Sequence, residues 1–82
     1  MSNLFNQNEV TLILKDFESG NKEKALKKML NYLKKNPNDY ATRYNYALMC
    51  QKAERVNEAM DNYKKVLSND SNNWRALTNL YL

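Results

Sequence analysis

Small and apolar residues recur along this chain at an interval of 34 positions, and that recurrence limits its possible folds more than any other feature. The matched residues share type more than identity, and the pairs are Ala25 and Ala59, Leu26 and Met60, Met29 and Tyr63, Tyr32 and Val66, Leu33 and Leu67, Leu12 and Tyr46, and Leu14 and Leu48. A unit of this length is too small to bury its apolar face alone, so neighbouring units must stack on each other.

Within each unit the apolar residues follow a helical period. Val10, Ile13, Leu14 and Phe17 have the i, i+3, i+4, i+7 spacing of one helix face. No segment sustains the alternation that is typical of a half-buried strand. The pattern predicts an all-α protein with antiparallel neighbours, because the connections are short. The five predicted helices cover about 8–19, 22–36, 40–53, 56–69 and 73–82.

Residues that favour turns and caps fall between these helices. Gly20 adopts a positive φ readily, which would end the first helix, and Asn21 is placed to cap the second. Pro37 cannot continue the second helix, and Asp39 stands at the N-cap of the third. Local chemistry therefore predicts the same boundaries as the apolar spacing.

The composition argues against several classes of function. The 82 residues include no histidine and one cysteine, Cys50, so Ser-His-Asp catalysis, His-ligated metal sites and an internal disulfide framework are excluded. The acidic pairs Asp16/Glu18 and Glu58/Asp61 are typical of solvated helix faces, and no Gly-rich phosphate loop is present. We predict no catalytic residue, metal or cofactor, and we interpret Cys50 as a buried packing residue.

The sequence also bears on location. No apolar run is long enough to cross a membrane, and the first residues lack the basic and apolar segments of a signal peptide. We therefore expect a cytoplasmic protein that does not associate with membranes.

This arrangement, in which a pair of helices recurs every 34 residues, resembles the tetratricopeptide repeat (TPR) family. The second unit carries the most specific match, because the run 43–47 (Arg-Tyr-Asn-Tyr-Ala) is similar to the family's W-Y-N-L-G run. Ala47 and Ala59 match small positions, and Tyr63 matches an aromatic one. The matches in the first unit are Leu12, Gly20, Ala25, Leu33 and the turn Asn36-Pro37-Asn38.

The resemblance implies helix-turn-helix pairs stacked as a short right-handed α-solenoid of about two and a half TPR-like repeats. The chain would be a single domain, 1–82, with repeat one at about 6–39, repeat two at about 40–73 and a partial third at 74–82. Departures from the family pattern are Ile13, Asp16, Tyr32, Cys50 and Ser71. The first helix can also be read one residue out of register, with Val10, Ile13, Leu14 and Phe17 as its buried face.

In TPR-like stacks the first helix of each pair lines a concave surface that binds extended peptides. The positions that match this groove are Tyr44, Asn45, Leu48 and Lys52 in the second repeat, Arg75, Thr78 and Asn79 in the third, and Val10, Leu14 and Phe17 in the first, or Thr11, Lys15 and Glu18 in the shifted register. Asn45 can both donate to and accept from a peptide backbone, and Arg75 can clamp a carboxylate.

Some members bind the acidic C-termini of heat-shock chaperones through a lysine and an asparagine on the first helix. Val10 and Leu14 occupy those positions here, so that ligand is disfavoured and a mixed apolar and polar groove is expected. The function implied by the resemblance is a non-catalytic interaction module that binds a peptide or protein segment on its concave face.

Two alternatives remain open at this point. The chain could be an accessory TPR region of a larger enzyme, such as a transferase, or a small basic RNA-binding helical protein. The net charge is +4, from 13 basic and 9 acidic residues, and the basic residues cluster at Lys22, Lys24, Lys27, Lys28, Lys34 and Lys35. We interpret this cluster as a solvated helix face, since no aromatic residues interleave with the lysines on the same face of the helix, and nucleic acid is disfavoured as a partner.

The last predicted helix is apolar on more than one side. The residues responsible are Trp74, Leu77, Leu80, Tyr81 and Leu82. Solenoids need polar terminal caps to stay soluble. We therefore expect either that the natural chain continues past Leu82 or that two copies form a homo-oligomer through this helix.

Overall fold

A computed structural model describes residues 2–70 and 79, with side chains described from residue 9. This part of the chain is all-helical and contains no strand. The four helices are α1 (Ser2–Glu18), α2 (Lys22–Lys35), α3 (Tyr40–Lys52) and α4 (Val56–Asn69). The predicted all-α class is therefore confirmed. The predicted fifth helix lies outside the described residues except for Asn79, which is helical.

The observed bounds of α2, α3 and α4 agree with the predicted ones to within one residue. The predicted start of α1 near residue 8 is wrong, because the helix begins at Ser2. Residues 2–8 show little apolar periodicity, so the pattern used for prediction could not detect their helical structure. None of the helices in the described part of the chain is long and apolar enough to cross a membrane.

One continuous core joins the four helices. The small residues Ala25, Ala47 and Ala59 lie within it with at most 2% of their surface exposed. Cys50 is fully buried, as predicted. The remaining buried apolar residues are Val10, Ile13, Phe17, Leu26, Met29, Tyr32, Leu33, Tyr46, Met49, Tyr63 and Val66. Because alanine has no side-chain atom beyond Cβ, helices can approach closely where these residues lie.

The two turns inside the helical hairpins have the same hydrogen-bond pattern. After α1, the Gly20 N–H donates to the Phe17 carbonyl (3.1 Å) and the Asn21 N–H donates to the Asp16 carbonyl (3.1 Å). These two bonds define a Schellman motif, which requires a left-handed residue at its centre. Gly20 has the φ of +105° that the motif needs, as the sequence predicts.

The turn after α3 repeats this arrangement 34 positions later. The Glu54 N–H donates to the Gln51 carbonyl (3.1 Å), and the Arg55 N–H donates to the Cys50 carbonyl (2.8 Å). Glu54 has a φ of +64°, a conformation that a residue with a Cβ adopts only at a cost. The 34-residue repeat is therefore present in the backbone hydrogen bonds. It includes position 54, where a glutamate replaces the glycine found at position 20.

The ends of α2 and α4 also correspond at this interval. The Asn36 N–H donates to the Tyr32 carbonyl and the Asp70 N–H to the Val66 carbonyl, each over 2.9 Å. At the start of α3 the carboxylate of Asp39 accepts a bond from the Thr42 N–H (3.1 Å), which confirms the predicted cap. Asn21 occupies the N-cap position of α2, but its side chain forms no capping bond, so that detail of the prediction is wrong.

The face that α1 buries differs from the face that the 34-residue alignment assigns to it. Leu12 is 65% exposed, whereas Tyr46, its counterpart on α3, is buried. Val10, Ile13 and Phe17 face the core instead, which is the shifted register. The reason is the number of neighbours: α1 packs chiefly on α2, whereas α3 packs on both α2 and α4 and needs a wider apolar surface.

The two equivalent turns give a paired test of the left-handed residue. Gly20→Ala should lower the free energy of unfolding by about 1 kcal/mol. An added Cβ would meet no atom within 4 Å, so this cost is conformational. Glu54→Gly should raise stability by about 0.5 kcal/mol, because relief of strain exceeds the added entropy of the unfolded chain. Urea denaturation followed by circular dichroism measures both changes, and an unchanged Gly20→Ala variant would contradict the assignment.

Candidate binding groove

A groove of about 800 Å³ lies between α1 and α3 and is closed at one end by the α2–α3 turn. Its walls combine apolar surface with side-chain amides, one hydroxyl group from each of α1, α2 and α3, and one carboxylate. The lining residues are Val10, Thr11 and Leu14 of α1, Tyr32 of α2, Asn36, Pro37, Asn38 and Asp39 of the turn, and Ala41, Thr42 and Asn45 of α3. The larger aliphatic side chains come from α1, and most of the amides and the carboxylate come from the turn.

The closed end of the groove is fixed by hydrogen bonds to Asp39. One carboxylate oxygen accepts from the Tyr32 hydroxyl (2.6 Å) and the Thr42 hydroxyl (2.7 Å), and the other accepts from the Thr42 N–H. These bonds join the last turn of α2 to the first turn of α3, so they hold two consecutive hairpins at a fixed angle. No buried side-chain polar atom in the described part of the chain lacks a partner.

The same bonds set the ionisation of this cluster. Partial burial acts to raise the pKa of Asp39, but the hydrogen bonds from Tyr32 and Thr42 outweigh it, and the pKa lies below its usual value. Burial, reinforced by the hydrogen bond to Asp39, raises the pKa of Tyr32 to about 12. At neutral pH the cluster therefore consists of a neutral phenol, a neutral hydroxyl and a carboxylate anion.

Asn45 and Tyr44, both predicted groove residues, face different neighbours. Asn45 lines the groove opposite Thr11 and Leu14 of α1. Tyr44 is half-buried against Tyr63 of α4, with ring centroids 5.8 Å apart, and its hydroxyl accepts a bond from the Asn79 amide (3.0 Å). Tyr44 and Asn79, two of the predicted groove residues, are therefore in direct contact, and Tyr44 does not line the groove that Asn45 lines.

The other predicted positions divide between packing and exposed residues. Leu48 is half-buried against the core, and Lys52 is exposed. Arg75 and Thr78 lie outside the described residues. On α1, Val10 and Phe17 are buried and Leu14 is half-buried, whereas the shifted set Thr11, Lys15 and Glu18 is exposed. The groove is lined on α1 by Val10, Thr11 and Leu14. The helix therefore contributes residues from both of the predicted registers.

Sequence reasoning missed the turn residues that close the groove. Asn36 and Asn38 are predicted only as part of a turn and Asp39 only as a helix cap, because a turn or cap and a binding surface have the same local signature. Tyr32 is predicted only as a departure from the family pattern. Its hydroxyl could have indicated a polar partner nearby, since a tyrosine at the edge of a core usually reaches one.

A second group of polar bonds joins α3 to α4 on the other side of the core. The Tyr46 hydroxyl donates to Glu58, the Tyr63 hydroxyl donates to Gln51 (2.7 Å), and Arg43 donates to Asn62 (2.9 Å). Arg55 pairs with Glu58 and reaches back to Glu23 at the start of α2. This network ties the second hairpin to the first at the end distant from Asp39.

Cys50 lies within this network and is fully buried. Burial raises the pKa of its thiol to about 11, so the thiolate that a nucleophilic cysteine requires is scarce at neutral pH. In the described part of the chain no three histidine, cysteine or acidic residues are grouped so that they could hold a metal ion.

A second depression of about 770 Å³ lies between α1 and α2. Glu9 and Asp16 of α1 face Lys28 and Lys35 of α2 across it, and the Lys28 ammonium lies 3.3 Å from the Asp16 carboxylate. The clustered lysines of α2 are all exposed. With both charge signs on its walls, this depression offers no selective field for a charged ligand.

Comparisons of the chain with protein-family models, with curated proteins and with solved structures give no match.

The Asp39 cluster predicts a pH-dependent contribution to stability. A carboxyl group with a depressed pKa in the folded state stabilises the fold above its unfolded pKa, and this contribution is lost as the pH falls through the folded pKa. Tyr32→Phe removes one of the bonds that depress this pKa. At neutral pH it should cost about 1 to 2 kcal/mol of unfolding free energy, and the difference from wild type should shrink as the pH falls through the pKa that Asp39 has in the folded state.

Tyr40→Phe serves as the matched control, because the Tyr40 hydroxyl bonds to no other described side chain. Urea denaturation at several pH values measures both variants. A Tyr32→Phe deficit that is independent of pH, or equal to that of Tyr40→Phe, would show that Asp39 does not carry the effect.

Proposed function

We propose that this chain is a TPR-like interaction module, a short stack of helical hairpins that holds an extended peptide or protein segment in the groove between α1 and α3. The observation that carries the proposal is the position of the groove. Most of its helical lining comes from α1 and α3, the first helices of the two hairpins, and α2 contributes Tyr32 beside the turn. This is the division of roles that a peptide-binding helical repeat requires.

The 34-residue recurrence in the backbone supports the repeat architecture. Both hairpins close with the same Schellman bonds, and both second helices end with the same carbonyl-to-amide bond. The contact of Tyr44 with Asn79, 35 residues further on, is what neighbouring first helices of successive units would make. A third unit stacked in the same sense would extend the concave surface beyond α3.

The chemistry of the groove suits an extended segment. Side-chain amides such as Asn45 donate and accept at once, so they can pair with the free N–H and C=O of a peptide backbone. Val10, Leu14 and Pro37 supply apolar surface for small side chains. Specificity would then come from a few polar contacts on a mostly preformed surface.

The proposal predicts that Asn45→Ala weakens peptide binding without changing the fold. Peptides are selected from a random phage-displayed library on the immobilised protein, and the dissociation constants of synthetic copies are measured by fluorescence anisotropy. Loss of the paired amide should weaken binding about five- to tenfold. The circular dichroism spectrum should stay unchanged, since alanine is a strong helix former.

Asn57→Ala is the matched control, because Asn57 is exposed on α4 and does not line the groove. Arg75→Ala, outside the described residues, is expected to weaken the same peptides. If no peptide is selected, or if the Asn45 and Asn57 variants bind equally, the groove is not the binding site.

A further inference from the structure

We propose that the groove selects a segment carrying a lysine or arginine side chain, which would lie against Asp39 at the closed end. The inference rests on the proposed function and specifies its ligand. Its basis is the charge of the lining: among the described residues that line the groove, Asp39 is the one ionised group, and none of them is a lysine or an arginine. A cationic side chain is the complement of that surface.

The charge of Asp39 is not cancelled by its hydrogen bonds. Its three donors, the Tyr32 hydroxyl, the Thr42 hydroxyl and the Thr42 N–H, are all neutral. The ion pairs in the described part of the chain involve Lys28, Arg55 and their acidic partners, and none includes Asp39. The carboxylate therefore keeps its full negative charge.

The helix ends around the groove also leave this charge in place. Asp39 caps the positive end of α3, and the negative end of α2 lies beside it at Asn36. The two partial charges are of similar size and opposite sign, so they largely offset each other. Lys34 and Lys35, in the last turn of α2, are exposed and do not line the groove.

The Asp39 carboxylate can accept one more hydrogen bond. A carboxylate offers about four lone-pair sites, and the hydrogen bonds within the chain occupy three of them. Because Tyr32 and Thr42 already hold the carboxylate in place, little conformational entropy is lost when a ligand pairs with it. The charge-assisted bond to an ammonium or guanidinium group is the strongest that such a site can form.

The apolar walls fit the rest of a long cationic side chain. Lysine and arginine carry three or four methylene groups that pack on apolar surface while the charged end reaches a polar partner. Val10, Leu14 and Pro37 supply such surface in the same groove as Asp39. An acidic side chain would find no cation among the described residues that line the groove.

The test compares ligand preference rather than binding alone. Random peptides are selected on the wild-type protein, on Asp39→Asn and on Asp61→Asn. Asparagine is as good an N-cap as aspartate, so Asp39→Asn removes the charge and can keep the bond from the Thr42 N–H, while its amide nitrogen replaces the oxygen that accepts from the Tyr32 and Thr42 hydroxyls. Asp61 is exposed on α4 and outside the groove, so its variant makes the same change in net charge at a neutral position.

We expect wild type and Asp61→Asn to enrich peptides with lysine or arginine at one position, and Asp39→Asn to lose this enrichment. A selected peptide and its copy with norleucine in place of the lysine should differ about tenfold in affinity for wild type. The two should bind Asp39→Asn equally, and the difference on wild type should fall as salt is added.

Thr11 gives a second variant that does not disturb the turn. It is exposed on α1 and lines the groove, so Thr11→Lys places a cation in the same groove as Asp39, and Thr11→Gln is the neutral control. Thr11→Lys should abolish the preference for cationic peptides, and Thr11→Gln should retain it. This comparison decides the question even if Asp39→Asn fails to fold.

The outcomes separate the inference from the proposed function. Peptides that depend on Asn45 but lack a lysine or arginine, or a cationic preference that survives Asp39→Asn, would overturn the inference and leave the interaction module intact. Enrichment of acidic peptides would overturn it too, as would a dimer that Thr11→Lys dissociates, because a second copy would then occupy the groove. Failure to select any peptide would overturn both.

Discussion

The close approach of helices at buried alanines is the constraint on which the rest of this structure depends. Ala25, Ala47 and Ala59 lie on three successive helices and have almost no exposed surface. Interiors are packed so closely that a larger side chain at such a point would push the helices apart. With these contacts in place, α2 packs against both α1 and α3. The turn between α2 and α3 is then held in a fixed shape by the bond from Tyr32 to Asp39.

That fixed turn links packing to the proposed binding surface. Asp39 caps α3, receives the Tyr32 hydroxyl from α2 and closes the groove between α1 and α3. One carboxylate therefore orients the two hairpins and presents a charge to any segment that enters. A site held this way needs no rearrangement to bind, because its side chains are already locked by bonds within the fold.

The sequence predicts much of the fold because local chemistry and apolar spacing agree over most of it. Gly20 and Asp39 act as their residue types require, and α2 and α4 follow a simple helical period. The sequence left two registers open for α1 and could not decide that Leu12 is exposed, because the number of neighbours of α1 is a property of the assembly. The turn wall of the groove was missed for a similar reason, since it forms only when α1 lies beside α3.

Substitution of one buried alanine tests the nesting of the hairpins most directly. Ala59→Leu should lower the free energy of unfolding by about 1 to 3 kcal/mol through overpacking. Ala41→Leu, the same change at an exposed position of α3, should alter it by less than about 0.5 kcal/mol. Equal urea midpoints for wild type and both variants would contradict the account, because the hairpins would then not depend on a small residue where they meet.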